Sequence, residues 1–138
     1  MSKEMVSLPN EYLLVVDDHG GIRRLLCEFL TQEGFRVKDA PDGQTALQLV
    51  KAEKPRLVLL DLKMPGLTGM ETLLQLKQLS PQTQVVLMSA YTREKEVIAA
   101  VESGYIEHYV YKPFDLEELR LILNNSLANP NISRAASS

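Results

Sequence analysis

Apolar positions along the chain follow two alternating rhythms. "YLLVV" (12–16), "RLVLLD" (56–61) and "QVVLMSA" (84–90) are short runs of consecutive apolar residues, as expected of strands buried on both faces. "FRVKDA" (35–40) alternates with a period of two, and "HYVY" (108–111) is a shorter candidate strand. Between these segments the spacing becomes helical. Ile22, Leu25, Leu26, Phe29 and Leu30 recur at i, i+3, i+4, i+7 and i+8, and Gly34 is expected to stop that helix. Further helices are predicted over 43–53 after the turn "PDG", over 67–79 up to Ser80-Pro81, and over 92–103 up to Gly104. A last helix should run from an Asp115 cap to about Leu127. All seven prolines lie outside the interiors of these helices.

Five strands alternating with five helices demand a parallel sheet covered on both faces. The expected fold is α/β, a flavodoxin-like (βα)5 three-layer sandwich whose five parallel strands take the order 2-1-3-4-5. The 138 residues suffice for one domain with its own core. Residues 1–10 read as an N-terminal extension and 11–127 as the folded domain. The small, polar stretch "ANPNISRAASS" (128–138) reads as a tail or linker.

Composition narrows the picture only a little. The 45% hydrophobic and 24% charged fractions are those of an ordinary globular protein, and a net charge of −3 argues against a broad nucleic-acid surface. Cys27 is the only cysteine, which rules out an internal disulfide and fits a reducing compartment. Its place in an amphipathic pattern favours a small core or half-buried residue over a nucleophile. With no signal-like run at the N-terminus and no apolar stretch of 18 residues, a cytoplasmic protein without a membrane partner is expected.

The strand ends carry the chemistry. Asp17 and Asp18 follow the first predicted strand, Asp61 the third, Ser89 the fourth and Lys112 the fifth. Ligands of open parallel sheets bind beyond the carboxyl ends of the strands, where the strand order reverses. In the order 2-1-3-4-5 the first and third strands are neighbours, so the three aspartates would share one crevice. They cannot all ionise there without a counter-charge. A divalent cation supplies it, and an all-oxygen donor set favours Mg²⁺ over zinc. Mg²⁺ in turn points to phosphoryl chemistry, with Ser89 and Lys112 holding phosphoryl oxygens and Asp61 as the nucleophile that forms an aspartyl phosphate. Any one of these residues alone would read as a cap, a turn or a loop. Their occurrence together, each closing a different apolar strand, carries the reading.

The segments "VVDDHGGIRRLL", "LVLLDLKMPGLTGME", "VVLMSAY" and "YVYKPFDLEEL" resemble the receiver domain of bacterial two-component response regulators, over about residues 10–127. Within that family the chain most resembles single-domain sporulation phosphorelay regulators. The resemblance implies phosphoryl transfer from a sensor histidine kinase phosphohistidine to Asp61, with Mg²⁺ required. It implies metal ligation by Asp18, Asp61 and the Lys63 carbonyl, with Asp17 acting through a water. Ser89 and Tyr109 would form the switch, Tyr109 swinging inward, and the Lys112-Pro113 bond would be cis. A docking surface for a kinase or a histidine phosphotransferase would include Ile22, Pro113 and Phe114. Leu25 also falls in that region, although plain core is its favoured reading. Such a chain assists its own phosphorylation and dephosphorylation without being an enzyme in the ordinary sense.

Two features depart from the family pattern. Gly104 and Lys112 are eight residues apart rather than seven, and His19-Gly20 stands where a longer polar side chain is more usual. His19 is expected to be a solvated loop residue rather than a ligand. Two other readings stand beside the main one: a receiver fragment of a larger regulator with an output domain beyond Ser138, and an aspartyl-phosphate hydrolase. The hydrolase needs a second acid two residues after its nucleophile, where this chain has Lys63. Flavin binding is disfavoured because no phosphate-cradling loop follows the first strand.

Overall fold

The computed structural model describes residues 11–128; the N-terminal extension and residues 129–138 of the tail lie outside them. In chain order the elements are β1 (Leu13–Val16), α1 (Gly20–Gln32), β2 (Val37–Ala40), α2 (Gly43–Ala52), β3 (Leu57–Asp61) and α3 (Gly69–Leu79). There follow β4 (Gln84–Ala90), a single 3-10 turn (Tyr91–Arg93), α4 (Glu94–Glu102), β5 (His108–Lys112) and α5 (Leu116–Ala128). The strands form one sheet in the order β2-β1-β3-β4-β5, every pair parallel. This is the architecture the sequence predicts.

Alternation along the central strands divides the core in two. Leu14, Val16, Val58, Leu60 and Leu87 face a layer made by α2, α3 and α4, through Ala46, Leu47, Val50, Leu73, Leu76, Val97 and Ala100. Leu13, Val15, Leu57, Leu59, Val86 and Met88 face α1 and α5, through Leu26, Phe29, Leu30, Leu119, Leu123 and Leu127. Burial on both faces is why β1, β3 and β4 read as unbroken apolar runs.

Element ends differ from the sequence reading where caps decide them. α1 starts at Gly20, ahead of its first apolar residue, because His19 caps it: the Ile22 N–H donates to His19 Nδ1 at 3.2 Å. α3 starts at Gly69 rather than 67, set by a capping box. The Thr68 hydroxyl accepts from the Glu71 N–H, and the Glu71 carboxylate accepts from the Thr68 N–H. Residues 92–93 belong to the 3-10 turn, so α4 begins at Glu94. β2 is shorter than 35–40 because its ladder with β1 begins at Leu13↔Val37. Asp115 caps α5 as expected, accepting from the Glu118 N–H at 2.7 Å.

Candidate functional site

The register of the central strands assembles the site. Val16 of β1 lies beside Leu60 of β3, so Asp17, the next residue, emerges next to Asp61 at the carboxyl edge of the sheet. Across β4, Ala90 pairs with Lys112, which brings the last residue of β5 to the same edge. One carboxylate oxygen from each of Asp17, Asp18 and Asp61 lies within 4.8 Å of the others. Asp17 and Asp61 are buried, whereas Asp18 is exposed. Lys112 Nζ reaches over the pair, 2.7 Å from Asp17 Oδ2 and 3.6 Å from Asp61 Oδ1.

The electrostatics of Asp61 follow from that placement. Burial pushes its carboxyl up to about 6, with the Asp17 charge adding to the effect. Lys112 and a hydrogen bond from the Lys63 backbone oppose the rise, and Asp18 contributes a last increment upward. Asp17 has both oxygens engaged by the protein: Oδ2 by Lys112, and Oδ1 by the His19 N–H at 2.9 Å. The Asp18 side chain makes no hydrogen bond or ion pair among the described residues. Its oxygens are the free ones, and this chemistry fits a divalent cation. Three hard-oxygen carboxylates against one ammonium leave excess negative charge that a dication offsets.

The other residues singled out in the sequence lie around this cluster. Ser89 is buried at the edge of β4, its hydroxyl donating to the Ala90 carbonyl at 2.9 Å. Lys63 is exposed just beyond Asp61. Tyr109 points outward and is 41% exposed, its ring centroid 5.4 Å from that of Tyr111, which meets Tyr91 edge-on at 4.8 Å. The Lys112-Pro113 bond is cis. Ile22, Leu25, Pro113 and Phe114 line one apolar groove that also includes Lys112. Cys27 is half-buried, and burial raises its thiol.

One expectation is corrected. Leu25 is not core: it is 51% exposed, because the apolar stripe of α1 is wider than the face that Leu26, Phe29 and Leu30 bury. His19 is an exposed loop residue, as expected, and it also caps α1. Two contributors went unnoticed in the sequence. Gly69 packs its Cα against the backbone that carries Asp61, and the capping box ahead of α3 was a readable sign of where that helix begins. Arg23 bonds the Asp17 carbonyl and Asp39, a contact between α1, the rim and β2 that no spacing announces.

A five-stranded doubly wound sheet with this acidic rim defines an α/β domain of flavodoxin-like topology built around a carboxylate site. A family model for the response regulator receiver domain matches residues 13–124, and the chain belongs to that family of signalling switches. It is 41% identical over 111 residues to the Sporulation initiation phosphotransferase F of Bacillus subtilis (strain 168), covering 80% of this chain and 89% of that protein. It is 37% identical over 115 residues to the Regulatory protein AtoC of Escherichia coli (strain K12), covering 83% of this chain but only 25% of that longer protein. Among solved structures, the receiver domain of NtrX from Brucella abortus superposes with a TM-score of 0.79 at 32% identity, covering 84% of this chain and 98% of that one. Among the described residues, no helix is long and apolar enough to cross a membrane.

Proposed function

We propose that Asp61 accepts a phosphoryl group from the phosphohistidine of a sensor histidine kinase. The domain, residues 11–127, then signals by conformational change or by passing the group to a histidine phosphotransferase. The observation that carries this reading is a buried carboxylate at the rim of the sheet, flanked by the acidic pair Asp17-Asp18 and a lysine. The phosphotransferase named among the relatives supports the onward step.

In the transfer, an Asp61 oxygen attacks phosphorus, the phosphorus–nitrogen bond to the donor imidazole breaks, and an acyl phosphate remains. Asp18, Asp61 and the Lys63 carbonyl would hold Mg²⁺, with Asp17 behind them, and the cation would offset charge on the phosphoryl oxygens. Lys112 Nζ, already 3.6 Å from Asp61, pairs with a phosphoryl oxygen once the carboxylate is phosphorylated. The Ser89 hydroxyl turns from the Ala90 carbonyl to a second oxygen, and Tyr109 follows inward. The groove of Ile22, Pro113 and Phe114 receives the donor protein beside Lys112. A cytoplasmic location belongs to the same proposal.

Incubation with candidate kinases, labelled donor and Mg²⁺ should put label on the wild type and none on Asp61→Ala; label retained on the variant overturns the assignment. Lys63, two residues beyond the acceptor, can pair with the phosphoryl group and obstruct the hydrolytic water. The phosphorylated Lys63→Ala protein should therefore decay roughly two- to fivefold faster, the worth of one exposed charge pair. Slower decay of the variant, followed by loss of label, would refute that role. A second reading, a receiver within a larger regulator, is supported by AtoC, of which this chain spans a quarter. The length of the native gene product decides it.

A further inference from the structure

We propose that Arg23 is a positioning residue for the divalent-cation site, fixing the plane of the Asp17–Asp18 peptide. This role rests on the Mg²⁺ reading above. Arg23 rises from the first turn of α1 and uses two edges of its guanidinium. Nη1 donates to the Asp17 carbonyl at 2.7 Å, and Nε donates to Asp39 Oδ2 of β2 at 2.7 Å. On its other side the Asp17 N–H donates to the Ala40 carbonyl, a longer contact of 3.2 Å. The Asp17 side chain is held separately, by His19 and Lys112.

Asp18 has no such support. Its side chain makes no hydrogen bond or ion pair among the described residues, so its direction is set by the backbone that carries it. The Asp17 carbonyl belongs to the peptide that leads into Asp18. Turning that carbonyl turns the Asp18 N–Cα bond with it, because the peptide is planar. The guanidinium holds this carbonyl with a charge-assisted bond, and Asp39 keeps the guanidinium from swinging away. The planar fork of arginine meets both partners at once, whereas a lysine ammonium on its flexible stem does not reproduce that geometry.

The sign of the effect separates positioning from simple electrostatics. A cation beside the cluster repels Mg²⁺, so removing the charge alone should tighten metal binding. Loss of positioning should weaken it. Titrating Mg²⁺ into the whole chain and following amide chemical shifts measures the affinity directly, with no phosphorylation needed. Arg23→Ala is expected to weaken binding about tenfold, as for other residues that orient metal ligands. Arg23→Lys, which keeps the charge, should weaken it nearly as much, and Asp39→Asn by a smaller factor. Melting curves taken alongside report folding. Unchanged or tighter Mg²⁺ binding in Arg23→Lys and Asp39→Asn overturns the proposal, even if their melting temperatures fall. A wild type that shows no Mg²⁺ response at the acidic cluster instead overturns the cation site itself.

Discussion

Replacing Gly69 with alanine is expected to destabilise the protein by about 2–4 kcal/mol, more than any other glycine-to-alanine change at the sites compared below. A Cβ at this position would lie 2.5 Å from Leu62 Cα, 2.6 Å from the Asp61 carbonyl oxygen and 2.7 Å from that of Leu62. All three are main-chain atoms, which cannot rotate aside as a side chain can. The gain in helix propensity on leaving glycine, up to about 1 kcal/mol, opposes the clash and loses to it. Gly20 and Gly66 provide the contrast, since neither would bring a Cβ within 4 Å of another group. Gly20→Ala should be neutral or slightly stabilising. Gly66→Ala should cost roughly 1–2 kcal/mol for placing alanine at φ +74°. Denaturant titration of the three variants ranks them, and a Gly69→Ala protein as stable as the wild type would show that the start of α3 shifts freely. The consequence reaches the site because the displaced backbone is the one that carries Asp61. Gly69→Ala should therefore also weaken Mg²⁺ binding.

The contrast between Gly69 and the strands shows what the sequence could and could not disclose. β1, β3 and β4 are buried on both faces, so their composition alone marks them, and their polar ends mark the rim. Asp17, Asp18, Asp61, Ser89 and Lys112 were readable because each interrupts an apolar run at the same structural level. The two-layer division of the core follows from the same alternation. Features that depend on an approach between distant segments left no such trace. Arg23 touches Asp39 sixteen residues away through a bond that needs β1 and β2 already paired. His19 caps α1 although histidine is not among the favoured capping residues, so its identity does not mark where the helix begins. Leu25 fits the helical period as well as Leu26 does. Only the docked sheet and α5 decide which of them is covered.

Asp61→Asn is expected to stabilise the metal-free protein by about 1–3 kcal/mol at neutral pH, although it removes the residue that defines the site. The Asp61 carboxyl is lifted to about 6 chiefly by burial and next by the charge of Asp17. A carboxyl whose folded value lies above its unfolded value of about 4 binds a proton more readily in the native state. Its ionised form therefore penalises folding. The penalty is full above pH 6, fades between about 6 and 4, and is absent below both values. The amide of asparagine keeps nearly the same shape without the charge. Lys112 loses its 3.6 Å neighbour but keeps its 2.7 Å bond to Asp17, so little is given back. Denaturant titrations in chelator at pH 7.5 and pH 4.5 test the sign twice: the variant should be the more stable at the higher pH, and the gap should narrow at the lower. A less stable variant at pH 7.5 would mean that the attraction of Lys112 outweighs burial. Added Mg²⁺ should reverse the order, because a ligand that binds only the native site stabilises the wild type by mass action and finds one carboxylate fewer in the variant. On this expectation the acidic cluster works against the fold in the metal-free protein, and the burial that makes the Asp61 charge costly is the same burial that shields its carboxylate.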